Sequence, residues 1–259
     1  MDPSTLTVRS LVTFDDLESC LSLQRDTWGD SFREQVPPAL LLVTQKIGGV
    51  LLGAFTPQGV LLGFVYGITG VLDREPVHWS HMLAVREPWR DHGVGRLLKL
   101  RQRDAVRAIG VHRMMWTFDP LVARNAHVNL NRLGVRVVEY VPNLYGAGPM
   151  TPLDAVIGTD RLIVEWQLES STIRGQFAAD GQIVADDQGG DFPAAPVIRL
   201  PIPSDIQALK RREPERALAW RTFTREAFTH YLRAGYAVQG LARTGPGAPA
   251  YILEAGDRA

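Results

Sequence analysis

His81-Met82-Leu83-Ala84-Val85-Arg86-Glu87-Pro88-Trp89-Arg90-Asp91-His92-Gly93-Val94-Gly95-Arg96-Leu97-Leu98-Lys99-Leu100 decides the reading of this 259-residue chain. An apolar strand ending Leu83-Ala84-Val85 runs into a turn marked by Pro88, and Arg90-x-x-Gly93-x-Gly95 then opens a basic amphipathic helix. A glycine-rich turn feeding a helix N-terminus leaves backbone N–H groups unpaired beside the positive end of the helix dipole, an arrangement that binds phosphate or pyrophosphate. Gly93 and Gly95 let the backbone bend and approach an anion without an intervening Cβ. The plainer alternative is a strand-to-helix turn whose glycines serve geometry alone.

Three kinds of phosphate-binding turn compete for this segment. A dinucleotide fingerprint needs a third small residue three positions after Gly95, where Leu98 stands. A P-loop needs Gly-Lys-Ser/Thr, but Gly95 is followed by Arg96-Leu97. The remaining pattern, Arg90-x-x-Gly93-x-Gly95 after a strand, resembles the acyl-CoA pyrophosphate loop of the GNAT superfamily of N-acyltransferases.

The flanking sequence agrees with that resemblance. Leu6 to Arg9 reads as a strand, Asp15-Asp16 as the start of a helix through Leu17, Cys20, Leu21 and Gln24, and Pro38 to Lys46 as a second helix. Val50 to Phe55 and Val60 to Ile68 read as strands joined across Thr56-Pro57-Gln58-Gly59. Val77 to Val85 is the strand before the loop. The helix after it, Gly93 to Ile109, is expected to bury Val94, Leu97, Leu98, Ala105, Ala108 and Ile109, with Arg96, Lys99 and Arg103 elsewhere. Arg113 to Phe118 is a strand, Leu121 to Leu133 a helix stopped by Gly134, and Val135 to Val141 and Arg161 to Leu168 further strands. This order matches the GNAT fold over about residues 5 to 168. The implied architecture is an α/β domain with a mixed, mostly antiparallel sheet flanked by helices.

Residues 1–168 are therefore expected to form a GNAT acyltransferase domain, and 169–194 an exposed excursion or linker with a turn at Asp180-Gly181. Residues 195–259 read as a C-terminal α+β extension. There Val197 to Pro201 is a strand, Ser204 caps a short helix, and Pro214 to Ala234 is a long helix. Tyr236 to Ala242 pairs with Ala250 to Glu254 across Thr244-Gly245-Pro246-Gly247. That run is similar to the last helix and two strands of a GNAT domain, so the extension is a candidate partial repeat.

Composition narrows the function classes. Hydrophobic residues make up 45% and charged residues 22% at zero formal net charge, a profile without bulk attraction to nucleic acid or an anionic membrane. The single Cys20 excludes an internal disulfide and a cysteine-based metal site, and no metal is expected. No apolar run reaches a membrane span, and Met1-Asp2-Pro3 lacks the basic-then-apolar pattern of a signal peptide. The expectation is a cytoplasmic protein of a reducing compartment.

The resemblance also implies site residues. Arg90, Asp91, His92, Gly93, Val94, Gly95 and Arg96 cradle the CoA pyrophosphate, and the backbone of Leu83, Ala84 and Val85 pairs with the pantetheine arm. Asn125 and Asn129 lie on the following helix, where the family often places a CoA contact. Helix capping for Asn125 and a solvated face for Asn129 are the alternatives. Arg96, Lys99 and Arg103 are candidates for a ribose phosphate or simply solvated charges.

Only a neutral amine attacks a thioester, so acyl transfer to nitrogen needs a base. His81 lies on the strand before the loop, where the superfamily often carries its base. Period-two alternation puts it on the face of Leu83 and Val85, and His78 on the other. His-Met-Leu-Ala-Val is similar to the corresponding strand of arylalkylamine N-acetyltransferases. The usual acid for the departing thiolate is a tyrosine four residues before the closing glycine of the next helix, and here that position is Leu130. Tyr145 and Tyr140, or solvent, are the substitutes.

Trp116-Thr117-Phe118-Asp119-Pro120-Leu121, Arg124-Asn125-Ala126, Asn143-Leu144-Tyr145-Gly146 and Thr159-Asp160-Arg161-Leu162 with Val164-Glu165-Trp166 resemble the GNAT-like N-succinyltransferases associated with N-acylamino acid racemases. In that reading Arg161 clamps an acceptor carboxylate and Asp119 holds an ammonium. An Asp119–Arg161 ion pair at a strand end is the alternative. The implied activity is acyl transfer from acetyl-CoA or succinyl-CoA to a small amine such as an amino acid. Beside it stand a protein or peptide N-acetyltransferase and a non-catalytic acyl-CoA-binding module with a partner or dimer surface. A homodimer is a further expectation.

Overall fold

The apolar run between residues 50 and 85 folds as an antiparallel meander. Thr7–Ser10 (β1), Val50–Phe55 (β2), Leu61–Leu72 (β3) and Glu75–Val85 (β4) pair in succession, and Arg113–Phe118 (β5) joins β4 in parallel. β2 is buried along its whole length, consistent with its uninterrupted apolar sequence and with cover on both faces. β3 and β4 run longer than the sequence suggests. Asp73 and Arg74 take φ of 54° and 67° and close a two-residue turn of the kind that follows strand twist.

The computed structural model describes residues 5–30, 32–146, 157–169, 181–184, 192–243 and 248–256. The chain divides into two units, Met1–Trp116 with Gln167–Ser170, and Thr117–Trp166 with Ser171–Ala259.

In the first unit, α1 (Phe14–Trp28) begins where Asp15-Asp16 indicated. Thr13 Oγ1 accepts the Asp16 N–H and Asp16 Oδ2 accepts the Thr13 N–H, both at 3.2 Å, while Arg9 donates a forked bond to the same carboxylate at 2.8 Å. This capping box satisfies donors that a helix start leaves open. α2 (Pro38–Lys46) covers the Tyr66 face of the sheet, while α3 (Val94–Ala108) covers the Gly63 and Gly67 face. The buried residues of α3 are Val94, Leu98, Lys99, Gln102 and Val106. They follow i+4 steps from Val94, with Lys99 added, and not the stripe expected from the sequence. Ile109, expected inside, is exposed.

In the second unit the expected helix from Leu121 to Leu133 is a short α4 (Ala123–Ala126) continued by a π-helical stretch, His127–Arg132. Leu133 N–H reaches back five residues to Val128 O at 3.0 Å. Arg136–Val141 (β6) and Arg161–Gln167 (β7) pair antiparallel. The rest comprises Gln182–Ile183 (β8), Val197–Pro201 (β9), Ile206–Arg212 (α5), Pro214–Arg233 (α6), Tyr236–Arg243 (β10) and Pro249–Ala255 (β11). A four-stranded sheet has the order β10-β11-β9-β8. Asp205, and not Ser204, caps α5 by accepting the Ala208 N–H at 2.9 Å. The β10–β11 hairpin is present as expected. Its turn, Thr244 to Gly247, the Asp180 turn position and most of 169–194 lie outside the described residues.

Thr117–Trp166 shares its unit with the C-terminal elements for a physical reason. α6 packs against β6 and β10, with the Tyr140 and Phe228 rings stacked at 5.3 Å. Asn131 makes a two-way bond with the Leu241 backbone at 2.8 and 3.0 Å. The segment after residue 117 thus completes its core with the C-terminal elements.

Candidate active site

The loop has an anion-receiving form. A single 3₁₀ turn, Glu87–Trp89, follows β4. Arg90, an exposed side chain, folds back so that its Nε–H donates to Val85 O at 3.1 Å. Asp91 and Gly93 take φ of 69° and 81°, a region glycine enters without strain. His92 Nδ1 lies 2.7 Å from Arg90 O. The first intrahelical bond of α3 runs from Leu97 N–H to Gly93 O, and the N-cap residue, Gly93, has no side chain with which to cap the helix. The N–H groups of Val94, Gly95 and Arg96 therefore open the helix at its positive end. Gly95 is less constrained: a Cβ there would meet Leu83 and Val85 side chains at 3.4 and 3.8 Å, ordinary contact.

Next to this loop the sheet opens. The parallel ladder between β4 and β5 consists of His78 with Met114 and Trp79 with Met115. From Ser80 to Val85 the described residues show no ladder between the two strands, so that edge of β4, apart from Val85 O, which accepts from Arg90, is open to an added extended chain. Leu83, Ala84 and Val85 lie on this free length.

The expected strand alternation fails inside β4. Tyr66 pairs with Met82 and Gly67 with Ser80, so His81 is the extra residue of a bulge. The bulge reverses the pattern: Leu83 and Val85 share their face with Ser80 and His78, on the α3 side. His81 turns to the other side, where its ring meets Tyr66 edge-on at 6.1 Å. Burial lowers the His81 pKa from its ordinary value, and Glu34 partly opposes that shift. A neutral, half-buried imidazole results, suited to accepting a proton.

His78 is fully buried and anchors a chain of polar side chains. The Thr69 hydroxyl donates to Gly48 O at 2.6 Å, so it must accept from His78 Nδ1–H at 2.9 Å. His78 Nε2 then accepts from Gln102 Nε2–H at 3.1 Å. Gln102 Oε1 accepts the Ser80 hydroxyl at 2.8 Å, and Ser80 Oγ accepts from Lys99 Nζ at 2.6 Å. Gly67 makes room for this chain, since a Cβ there would collide with His78 Nε2. Lys99 also places Nζ 3.9 Å from the Trp116 ring centroid. Burial pushes Lys99 down to about 7, and burial with the Lys99 charge pushes His78 down to about 4. Sequence reading missed this group. Its one sequence signal was Gln102, which falls on the i+4 ridge of Val94, Leu98 and Val106.

The remaining candidates lie in the second unit. Tyr145 Oη is 3.0 Å from Thr117 Oγ1, and the Arg161 guanidinium sits 5.3 Å over the Tyr145 ring. Arg161 also donates to Asp160 O at 2.8 Å. Tyr145 and Arg161 are thus brought together. Asp119 meets neither an open space nor Arg161. Both its oxygens accept from Arg221 Nη2 at 2.8 Å, and Oδ1 also takes the Leu121 N–H at 2.9 Å. Asp119 was read from its own strand end, and its partner stands 102 positions away. Asn125 is exposed on α4, whereas Asn129 is buried in the π-helical stretch and is not a solvated side chain.

No protein-family model matches the sequence, and no curated protein matches it. Solved structures resemble it in fold. A chain of the NatC complex bound to Gag peptide and CoA aligns with a TM-score of 0.50 at 14% identity, over 64% of this chain and 99% of that one. A protein solved as a candidate phosphinothricin N-acetyltransferase gives 0.50 at 18% identity, over 64% and 99%. The chain has the fold of the GNAT acetyltransferases, a mixed and mostly antiparallel sheet flanked by helices. Among the described residues no helix is long and apolar enough to cross a membrane.

Proposed function

We propose that the protein is an acyl-CoA-dependent N-acyltransferase that passes an acetyl or succinyl group to the amine of a small acceptor such as an amino acid. The observation that carries this reading is the juxtaposition of a helix N-terminus at Gly93–Arg96, entered through a left-handed glycine, with a length of β4 from Ser80 to Val85 that has no ladder to β5 among the described residues. Together they suit a ligand with pyrophosphate at one end and an extended amide-bearing arm at the other.

In this reading Arg90 to Arg96 hold the pyrophosphate and Leu83 to Val85 pair with the arm. His81 takes the proton from the acceptor ammonium, directly or through water, and the freed amine attacks the thioester carbon. Arg161 clamps an acceptor carboxylate. Tyr145 supports the acceptor end of the reaction, and Asn125 and Asn129 are secondary candidates for the donor. Asp119 is assigned to fixing Arg221 instead of binding an ammonium. The resemblance to racemase-associated N-succinyltransferases supports an amino-acid acceptor and a dicarboxylic donor.

The test is release of free thiol from acetyl-CoA and succinyl-CoA against a panel of L- and D-amino acids and short peptides. Amine-dependent release that falls at least tenfold in His81→Ala is the expected result. Binding of CoA without release for any acceptor would replace this reading with a non-catalytic binding module. Gly93→Val, forced into a left-handed conformation costing about 1–2 kcal/mol, is expected to lose CoA affinity, which calorimetry measures directly.

A further inference from the structure

We propose that Lys99 is a catalytic residue of this transfer, whose buried ammonium stabilises the coenzyme A thiolate as it leaves and then protonates it. The inference rests on the acyl-CoA reading above.

Lys99 Nζ bonds Ser80 on β4 and faces the ring of Trp116 on β5. Each residue stands one place beyond the last paired residue of its strand, Trp79 and Met115. The ammonium therefore sits at the fork where the two strands part. The open edge from Val85 back to Ser80 is roughly 17 Å long at the usual strand rise. A donor whose phosphates rest on the α3 N-terminus beside Val85 and whose arm runs along this edge carries its sulfur towards the fork.

Lys99 is 7% exposed, and among the described residues no carboxylate lies within ion-pair distance of Nζ. Its neighbours are the Ser80 hydroxyl, a longer contact to Gln102 Oε1 at 3.4 Å and the Trp116 ring. Such a cation in a low-dielectric setting is complementary to an anion that forms beside it. Burial alone shifts its proton affinity, towards neutrality, and His78 is the other titratable group in the network. The direction of every bond from Gly48 O to Ser80 keeps the Ser80 lone pair on Lys99 and keeps His78 uncharged. Ser80 and Gln102 are positioning residues in this scheme.

Leu130, where the sequence resemblance placed a tyrosine acid, is fully buried and has no hydroxyl. With Lys99 the step balances. The acceptor nitrogen forms its bond to the carbonyl carbon, and the C–S bond breaks with its electron pair on sulfur. A proton passes from Nζ to sulfur, giving thiol and neutral Lys99. The acceptor's released proton goes to His81 or water, and Lys99 regains a proton from solvent before the next turnover.

The experiment is a pH titration of the bound CoA thiol, followed by the ultraviolet absorbance of its thiolate in the binary complex. In the wild-type complex the thiol should be at least tenfold more acidic than in Lys99→Met, with Ser80→Ala between the two. Met keeps length and apolar packing, and Ser80→Ala supplies a second readout should Lys99→Met fold poorly. Equal thiol acidity in wild type and variants, with CoA bound in each, overturns the role of Lys99 while leaving the acyl-CoA reading intact. Failure of the wild type to bind CoA in calorimetry overturns both.

Discussion

Two of the buried cations, one from each unit, are treated in opposite ways. Arg221 on α6 has 1% side-chain exposure and is neutralised by a two-pronged bond to Asp119. Its Nε–H also donates to Ile157 O at 3.2 Å. Beside it, Arg225 and Tyr140 share Asp160. Lys99 in the first unit is nearly as buried, yet its partners are a hydroxyl, an amide and a ring face. A matched pair holds elements together, and removing one member leaves the other charge stranded. Among the described residues Lys99 has no carboxylate partner, so folding proceeds against its desolvation with only the Ser80, Gln102 and Trp116 contacts in return. The contrast separates a charge kept for architecture from one kept for chemistry.

The most damaging way to probe this contrast is Asp119→Ala, which strands Arg221 inside the second unit. A loss of about 3–5 kcal/mol is expected in urea unfolding. A loss under about 1 kcal/mol would mean that the pair does not hold α6 in place.

Lys99→Met is expected to act in the opposite direction, raising stability by about 1–4 kcal/mol near neutral pH. Lys99 has a native value of about 7 against an ordinary 10.5. Between those values the unfolded chain binds the proton more tightly, so stability falls as pH drops from about 10 to 7. The gain in Lys99→Met should therefore be absent near pH 10.5 and full at or below pH 7. Thermal melts across that range measure it, and a destabilised variant at pH 7 would break the comparison.

A smaller effect is expected at Asp160. Burial pushes this carboxyl up, but Arg225, Tyr140 and the Asn143 N–H together hold it below its ordinary 3.8. Its contribution is present above the unfolded value and is lost as pH falls through the lower native one. Asp160→Asn should lose about 1–2 kcal/mol at pH 7, allowing for the partial exposure of Arg225. Its acid-unfolding limb below about pH 4 should be shallower than that of the wild type.

The loop was legible in the sequence because its geometry is local. Gly93 in a left-handed conformation, the 3₁₀ turn at Pro88 and the start of α3 all follow from neighbours a few positions apart. The α2 boundaries and the β10–β11 hairpin were legible for the same reason. The face of His81 was not, because a bulge is defined by the register of β3 against β4, which no period along β4 alone reveals. Lys99 was hidden by its type, since a lysine on an amphipathic helix reads as solvated. Only the convergence of Ser80, Gln102 and Trp116 from separate elements makes its burial tolerable. The roles of Asp119 and Asp160 were hidden by distance, as both depend on arginines of a helix that begins at Pro214.

The most direct measurement is an NMR titration of the Lys99 side chain, assigned by the signal missing from Lys99→Met and followed from pH 5 to 11. A midpoint near 7, with His78 remaining neutral down to about pH 4, is the predicted result. A midpoint near the ordinary 10.5 of a solvated lysine would contradict the buried, unmatched cation at the fork of β4 and β5.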